Sequence, residues 1–336
     1  MILSDILFLL FLALIAVLLA GALAPFESLG WWAGWYDATA PEDADATSQD
    51  AVDRARAATA DHYIVYLSGI GDISGDTLTQ GEIVFLDELA QRMPDTVIIR
   101  DIFPYSMHDK GLSGQGFFAG LWDWVQKSKI RGNELPALMV NIRNMFQVGV
   151  SADPRYGPIY NQGSSELILR GLLRHGYPLG SGKPVTLIGY SGGGQISIGA
   201  VTFLKHMINA PIQVISIGGV MSSDRGIQYL EHLYHLYGDK DVVQKLGAIM
   251  YSSRWSIMPK SSWNTATKEG RISQISLGPI DHNGAVGYFG TERYLANGQS
   301  HVEKSIEATF DVLVHSGFTR VLARDVPTGS LPYQSP

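Results

Sequence analysis

Val185–Gly199, VTLIGYSGGGQISIG, is the stretch whose reading decides the fold. Its first part, Val185–Ile188, is an apolar run of strand length, and its last part, Gln195–Leu204, spaces apolar residues as one face of a helix. Between them Gly189, Ser191 and Gly193 form G-x-S-x-G. A strand, a serine flanked by glycines and then a helix is the context of a nucleophile elbow, in which the serine takes strained backbone angles and neighbouring side chains would clash. The competing reading is a small residue in a Gly-rich bend. A short motif in a chain this rich in glycine arises by chance, so its surroundings must decide.

Outward from this stretch the hydrophobic period alternates. HYIVYLSG from His62 is a buried-strand run, and GEIVFLDELAQRM from Gly81 has helical spacing with acids near its start. DTVIIRDIF from Asp95 is a strand, and SELILRGLLRHG from Ser165 is a helix that Gly176 is placed to stop. After Ser191, IQVISIGGV, HLYHLYG and ISQISLG are further strands, and HVEKSIEATFDVLVHSG from His301 is a closing helix. This order predicts an α/β fold, a mostly parallel central sheet flanked by helices, with ligands bound at the carboxyl ends of the strands. Residues 104–160 interrupt the alternation with GFFAGLWDWV and ALMVNIRNMFQVGV. These are either ordinary core helices or a lid-like helical insertion whose Phe117, Phe118, Trp122, Trp124, Met139 and Met145 line an acyl-chain pocket.

The termini differ from this core. Ile6–Ala24 is an uncharged run of nineteen residues, about the length that spans a bilayer as a helix. A cleaved signal peptide is opposed by the missing basic n-region, the length of the run, and Pro25 directly after Ala22-Leu23-Ala24. With Trp31, Trp32, Trp35 and Tyr36 suited to the membrane–water interface, residues 1–36 read as an uncleaved anchor. Residues 26–53 hold seven acidic residues and no basic one, which favours an exported, extracytoplasmic catalytic domain. Residues 37–60 read as a linker, 61–323 as the main domain and 324–336 as a disordered tail. The chain of 336 residues has a net charge of −7 and no Lys/Arg cluster, which argues against a nucleic-acid partner. It has no cysteine, so disulfides, Cys-ligated zinc and thiol nucleophiles are excluded.

A serine hydroxyl needs a base, and the base needs a group that orients it. Of the nine histidines, His282 combines a loop at the end of a strand with a place late in the chain; the alternative is an ordinary loop histidine. Asp241 follows the strand HLYHLYG and gives the order Ser, Asp, His. Asp224, after the preceding strand, is the competing acid, and Asp281 is too close to His282 in sequence to serve. Gly69-x-Gly71 after the first strand invites a dinucleotide site, but Ser74 replaces the third glycine and no helix begins at once. GSGKP at Gly180–Pro184 precedes a strand instead of following one, and His232 and His235 on a strand would point to opposite faces, so neither a phosphate loop nor a metal pair is expected.

GYSGGG, YGDKDVV and DHNG, in that order between about His62 and Phe318, resemble the α/β-hydrolase superfamily and, within it, membrane-anchored bacterial hydrolases of undetermined substrate. The resemblance implies that Ser191 attacks an acyl carbon, His282 relays protons and Asp241 steadies the imidazolium, with no cofactor. It further implies an oxyanion hole from the backbone N–H of Gly192 and a second donor after the first strand. Ser68-Gly69 stand where many members carry His-Gly, which makes that donor Ile70 or else Gly71. The expected activity is esterase- or lipase-like cleavage of a small-molecule or lipid acyl ester at the membrane. Acyl transfer with the same residues and an inactive scaffold of the same fold are the alternatives.

Overall fold

The computed structural model describes residues 59–71, 78–105 and 134–318, with isolated positions at 8, 11, 29, 30 and 33. The aromatic segment 116–125 and the tail from 324 fall outside them, as do the anchor and linker apart from those positions and 59–60. Among the described residues, no helix is long and apolar enough to cross a membrane.

The elements run β1 (His62–Leu67), α1 (Gln80–Arg92), β2 (Thr96–Ile99), α2 (Glu134–Ala152), α3 (Gly157–Arg174), β3 (Val185–Tyr190), α4 (Gly192–Ile208), β4 (Ile212–Ile217), β5 (Leu233–Tyr237), α5 (Lys245–Met250), α6 (Ser262–Lys268), β6 (Ile272–Ser276) and α7 (His301–His315). The strands form one six-stranded sheet in the order β2-β1-β3-β4-β5-β6. Every neighbouring pair is parallel. The chain moves outward from β1 to β2, then crosses back to β3 on the other side of β1. That reversal opens a crevice above the carboxyl ends of β1 and β3.

Because side chains alternate along a strand, each central strand serves two cores. Val65, Leu67, Leu187, Val214 and Leu233 pack with Leu167, Leu172, Ile196 and Leu204 of α3 and α4. Ile64, Tyr66, Ile188, Ile215 and Leu236 pack on the opposite face with Phe85 and Leu89 of α1 and Ile306 and Phe310 of α7. Each fully buried aliphatic side chain contributes about 1.5–3 kcal/mol, so apolar runs buried on both faces are what holds the sheet. The helix starts are fixed locally: Thr79 with Glu82, and Ser300 with Glu303, form reciprocal capping boxes on α1 and α7.

Three boundaries differ from the sequence reading. β2 stops at Ile99, although Ile102 and Phe103 beyond it remain buried. α3 begins at Gly157, eight residues before Ser165, behind Pro158 in its first turn. ALMVNIRNMFQVGV lies in α2, whose Val140, Val148 and Val150 join the core of the α3–α4 face. The second half of the 104–160 interruption is therefore a helix packed into this core, and the first half, 106–133, lies outside the described residues. Met145 on α2 is exposed, and the side chains of Phe117, Phe118, Trp122, Trp124 and Met139 lie outside the described residues.

Candidate active site

Ser191 stands between the last residue of β3 and the first of α4, with φ 52° and ψ −118°. A non-glycine residue at positive φ is strained, and here the surroundings impose it. The Ser191 N–H donates to Ile217 O at 3.0 Å, and its carbonyl accepts from Gly194 N at 3.1 Å and Val220 N at 3.3 Å. The flanking glycines are required by space. A Cβ on Gly189 would lie 2.5 Å from Gly193 O, and one on Gly193 would lie 2.3 Å from Leu67 O. The turn is thus pressed against the end of β1, where no side chain fits.

Ser191 Oγ lies 2.8 Å from Nε2 of His282, whose Nδ1 lies 2.7 Å from Oδ2 of Asp241. All three residues are buried. With Nδ1–H given to the carboxylate, Nε2 is left as an acceptor toward the serine hydroxyl. The arrangement can draw the proton from Oγ onto the imidazole while Asp241 balances the charge that forms.

The Asp241 carboxylate is saturated with donors. Oδ1 accepts from the backbone N–H of Val243 at 2.8 Å and Gln244 at 3.1 Å. Oδ2 accepts, besides His282, the hydroxyl of Tyr288 at 2.6 Å. Burial by itself pushes this carboxyl up, but the bonds from His282 and Tyr288 hold it below the ordinary carboxylate value. Burial, with the carboxylate alongside, pushes the Tyr288 hydroxyl far up, so it stays a donor.

Asp224, the competing acid, has a different task. Its Oδ1 accepts from Gly226 N at 2.8 Å and caps the 3-10 turn Arg225–Gln228, and burial raises its carboxyl. Asp281 accepts from its neighbour's backbone, His282 N, at 2.9 Å. His232 bonds Ser273 at 2.9 Å. His235 is buried between Ser216 and Gln244. No cluster of His, Cys, Asp and Glu among the described residues could hold a metal.

Gly192, the expected oxyanion donor, opens the seventeen-residue α4, so the site faces the positive end of a helix. A Cβ on Gly192 would lie 2.7 Å from a methyl of Ile70 and 2.7 Å from a methyl of Val148, which sets Ile70 against Gly192 across the crevice. The loop carrying Ile70 is pinned at two points: Tyr105 donates to Ser68 O at 2.7 Å, and Asn144 donates to Ile70 O at 2.8 Å. In Gly69-x-Gly71, a Cβ on Gly69 would lie 2.9 Å from the Tyr190 ring, so this glycine makes room for the serine turn.

Sequence reasoning missed three residues around the site. Tyr288 lies six residues beyond His282, and nothing in the spacing of the motif marks it. Tyr190, the x between Gly189 and Ser191, stacks its ring on His282 at 5.6 Å between centroids and donates to His282 O at 2.8 Å. Gln195, fully buried on α4, accepts from Ser222 N at 2.8 Å and fixes the loop after β4. Its amphipathic position, a polar residue amid the apolar face of α4, was the available signal.

No protein-family model matches the chain. No curated protein matches it either. Among solved structures it is similar to the crystal structure of LpqC, a poly(3-hydroxybutyrate) depolymerase from Bordetella parapertussis. The two share 13% identity over 80% of this chain and 83% of that one, with a TM-score of 0.39. A likeness this distant says nothing of substrate.

Proposed function

We propose that this protein is a serine hydrolase of the α/β-hydrolase type that cleaves a carboxylic ester through an acyl-enzyme on Ser191. One observation carries the reading: an unbroken hydrogen-bonded line from Ser191 Oγ through His282 to Asp241, 2.8 and 2.7 Å per step, on a serine held at positive φ. In this reading Oγ attacks the acyl carbon as His282 Nε2 takes its proton. The ester carbonyl becomes a tetrahedral oxyanion, held by the N–H groups of Gly192 and Ile70 at the head of α4. His282 then returns the proton to the departing alkoxide, and water repeats the sequence to release the acid. Asp241 orients the base throughout.

The acyl group is apolar or lipid-like. Methyls of Ile70 and Val148 crowd the Gly192 side of the serine turn, with the Tyr105 hydroxyl the one polar atom beside them and already given to Ser68 O, which supports a mainly hydrocarbon wall there. Each methylene that enters such a pocket contributes about 0.8 kcal/mol, roughly fourfold in kcat/KM. The domain is held at a membrane by the uncharged run 6–24, with the acidic flank and the catalytic domain on the exported side.

The test is turnover of p-nitrophenyl esters from acetate to octanoate by purified full chain. The reading expects a burst of one nitrophenolate per chain, rising kcat/KM with acyl length, and loss of both on Ser191→Ala. Undiminished turnover in the Ser191→Ala protein would overturn the mechanism; a fall in kcat/KM along the series would overturn only the lipid-like substrate.

A further inference from the structure

We propose that the surface formed by residues 242–258, beside the active site, docks on an anionic phospholipid bilayer. Large apolar side chains exposed elsewhere in the domain are fewer and more widely spaced, such as Val84 on α1, Leu138 and Met145 on α2, and Leu179 before β3. Between Val242 and Met258 they collect: Val242 is 67% exposed, Ile249 64%, Met250 65% and Ile257 75%, with Leu246, Trp255 and Met258 also open. Scattered apolar residues are ordinary, whereas a contiguous group marks an interaction surface.

The segment is firmly held beneath this face. Leu246, Ile249 and Met250 are at helical spacing, so they share one side of α5, and Val242 lies in the bend just before it. On the other side Gly247 sits flush on Met221, where a Cβ would lie 2.9 Å from the backbone nitrogen and oxygen. Arg254 donates to Met221 O at 3.0 Å and stacks over the Trp263 ring at 3.5 Å. Trp255 Nε1 donates to Ala248 O at 2.8 Å, which fastens the indole to the end of α5. The apolar side chains are therefore displayed by an ordered scaffold.

Charge selects the occupant. Val242–Ser261 contains Lys245, Arg254 and Lys260 and no acidic residue, in a chain of net charge −7. Lys245 and Lys260 are exposed, and the exposed Asp239 at the margin bonds Ser276 at 2.7 Å. Apolar side chains, a half-exposed tryptophan ring and flanking lysines suit the acyl boundary, the interface and anionic headgroups respectively. If this face met its own copy across a two-fold axis, Lys245 and Lys260 would be brought against the same lysines of the other copy, which disfavours that occupant.

The location gives the docking a consequence. Val242 directly follows Asp241, and the half-exposed Val286 belongs to the loop after His282. Docking therefore turns the crevice toward the bilayer. The proposal rests on the anchored, lipid-directed reading for proximity, but its test does not depend on turnover.

The chain has no cysteine, so single labelling sites can be introduced cleanly. Full-length Ile249→Cys, Ile257→Cys and, as a control in the exposed loop before β3, Leu179→Cys carry an environment-sensitive NBD group. Each is placed in phosphatidylcholine vesicles with and without phosphatidylglycerol and with spin-labelled lipid as quencher. The proposal expects a blue shift and quenching at 249 and 257, stronger with phosphatidylglycerol, and neither at 179. Ile249→Glu in the Ile257→Cys protein should abolish both signals while short-chain ester turnover stays unchanged. Aqueous emission at all positions, or equal quenching at all, would overturn the proposal. So would a blue shift without lipid quenching, which would mean that another copy or another part of this chain covers the face.

Discussion

Replacing Tyr288 by Phe removes one oxygen from behind the proposed catalytic line and tests whether that line is held from outside. The hydroxyl does two jobs: it donates to Asp241 Oδ2 at 2.6 Å and accepts from Gly238 N at 2.9 Å. The ring has a slot made for it, since Gly218 at φ 57° would bring a Cβ within 2.5 Å of Tyr288 Cε2. Phe keeps the ring and the slot. A hydrogen bond to a buried charge is worth about 1.5–3 kcal/mol, so the variant loses roughly 2 kcal/mol of stability. Without that donor the carboxylate is free to turn about its remaining bonds, from His282 Nδ1 at 2.7 Å and from the N–H groups of Val243 and Gln244, and it orients the imidazole less well. If about half of a 1.5–2 kcal/mol loss reaches the transition state, kcat falls about four- to fivefold with KM little changed. The assay is steady-state kinetics on a neutral ester, beside urea unfolding. Lowered stability with an unchanged kcat would show that Tyr288 is only packing and refute the positioning role.

Asp241→Asn should lower kcat/KM by about three to four decades through the wrong imidazole tautomer, while Asp224→Asn, which keeps an acceptor for Gly226 N, should change it less than tenfold; steady-state ester kinetics rank the two. Gly193→Ala should cost about 3 kcal/mol or prevent folding, because its Cβ would meet backbone oxygen of β1 2.3 Å away; the urea midpoint reads this. Burial lowers His62 to about 3 and His235 to about 4, so both are neutral in the native state while the unfolded chain protonates them near 6.5. Each therefore contributes stability that is fully present above pH 7 and is lost as pH falls from about 6.5, at about 1.4 kcal/mol per unit. His62→Gln should reduce the slope of unfolding free energy between pH 6 and 4.5 by up to one proton, about 1.4 kcal/mol per pH unit, and an unchanged slope would contradict this.

The strands and the serine turn were legible because each depends on local pattern. Val185–Ile188 is buried on both faces, so its sequence is apolar apart from Thr186, and the close approaches of the turn require glycine at 189 and 193, two residues either side of the serine. His282 and Asp241 could be reached through strand order, since both follow the carboxyl ends of strands that share an edge of one parallel sheet. The choice of Asp241 over Asp224 was less legible. It depends on Asp224 spending its carboxylate on Gly226 N, a turn geometry that spacing does not reveal. Tyr288 was invisible for a related reason. Its partners Gly238 and Asp241 are brought to it by tertiary contact alone, 50 and 47 residues away in the chain. α2 was ambiguous because a core helix and a lid share one apolar stripe, and only its packing on α3 and α4 separates them.

The central claim, that Ser191 is an activated nucleophile, is tested most directly by fluorophosphonate labelling of the full chain followed by intact mass and peptide mapping. The account predicts one adduct per chain, located on Ser191, formed rapidly in wild type and slowed by orders of magnitude in His282→Ala. Wild-type protein that stays unmodified under conditions that label a control serine hydrolase, or an adduct on any residue other than Ser191, would contradict it.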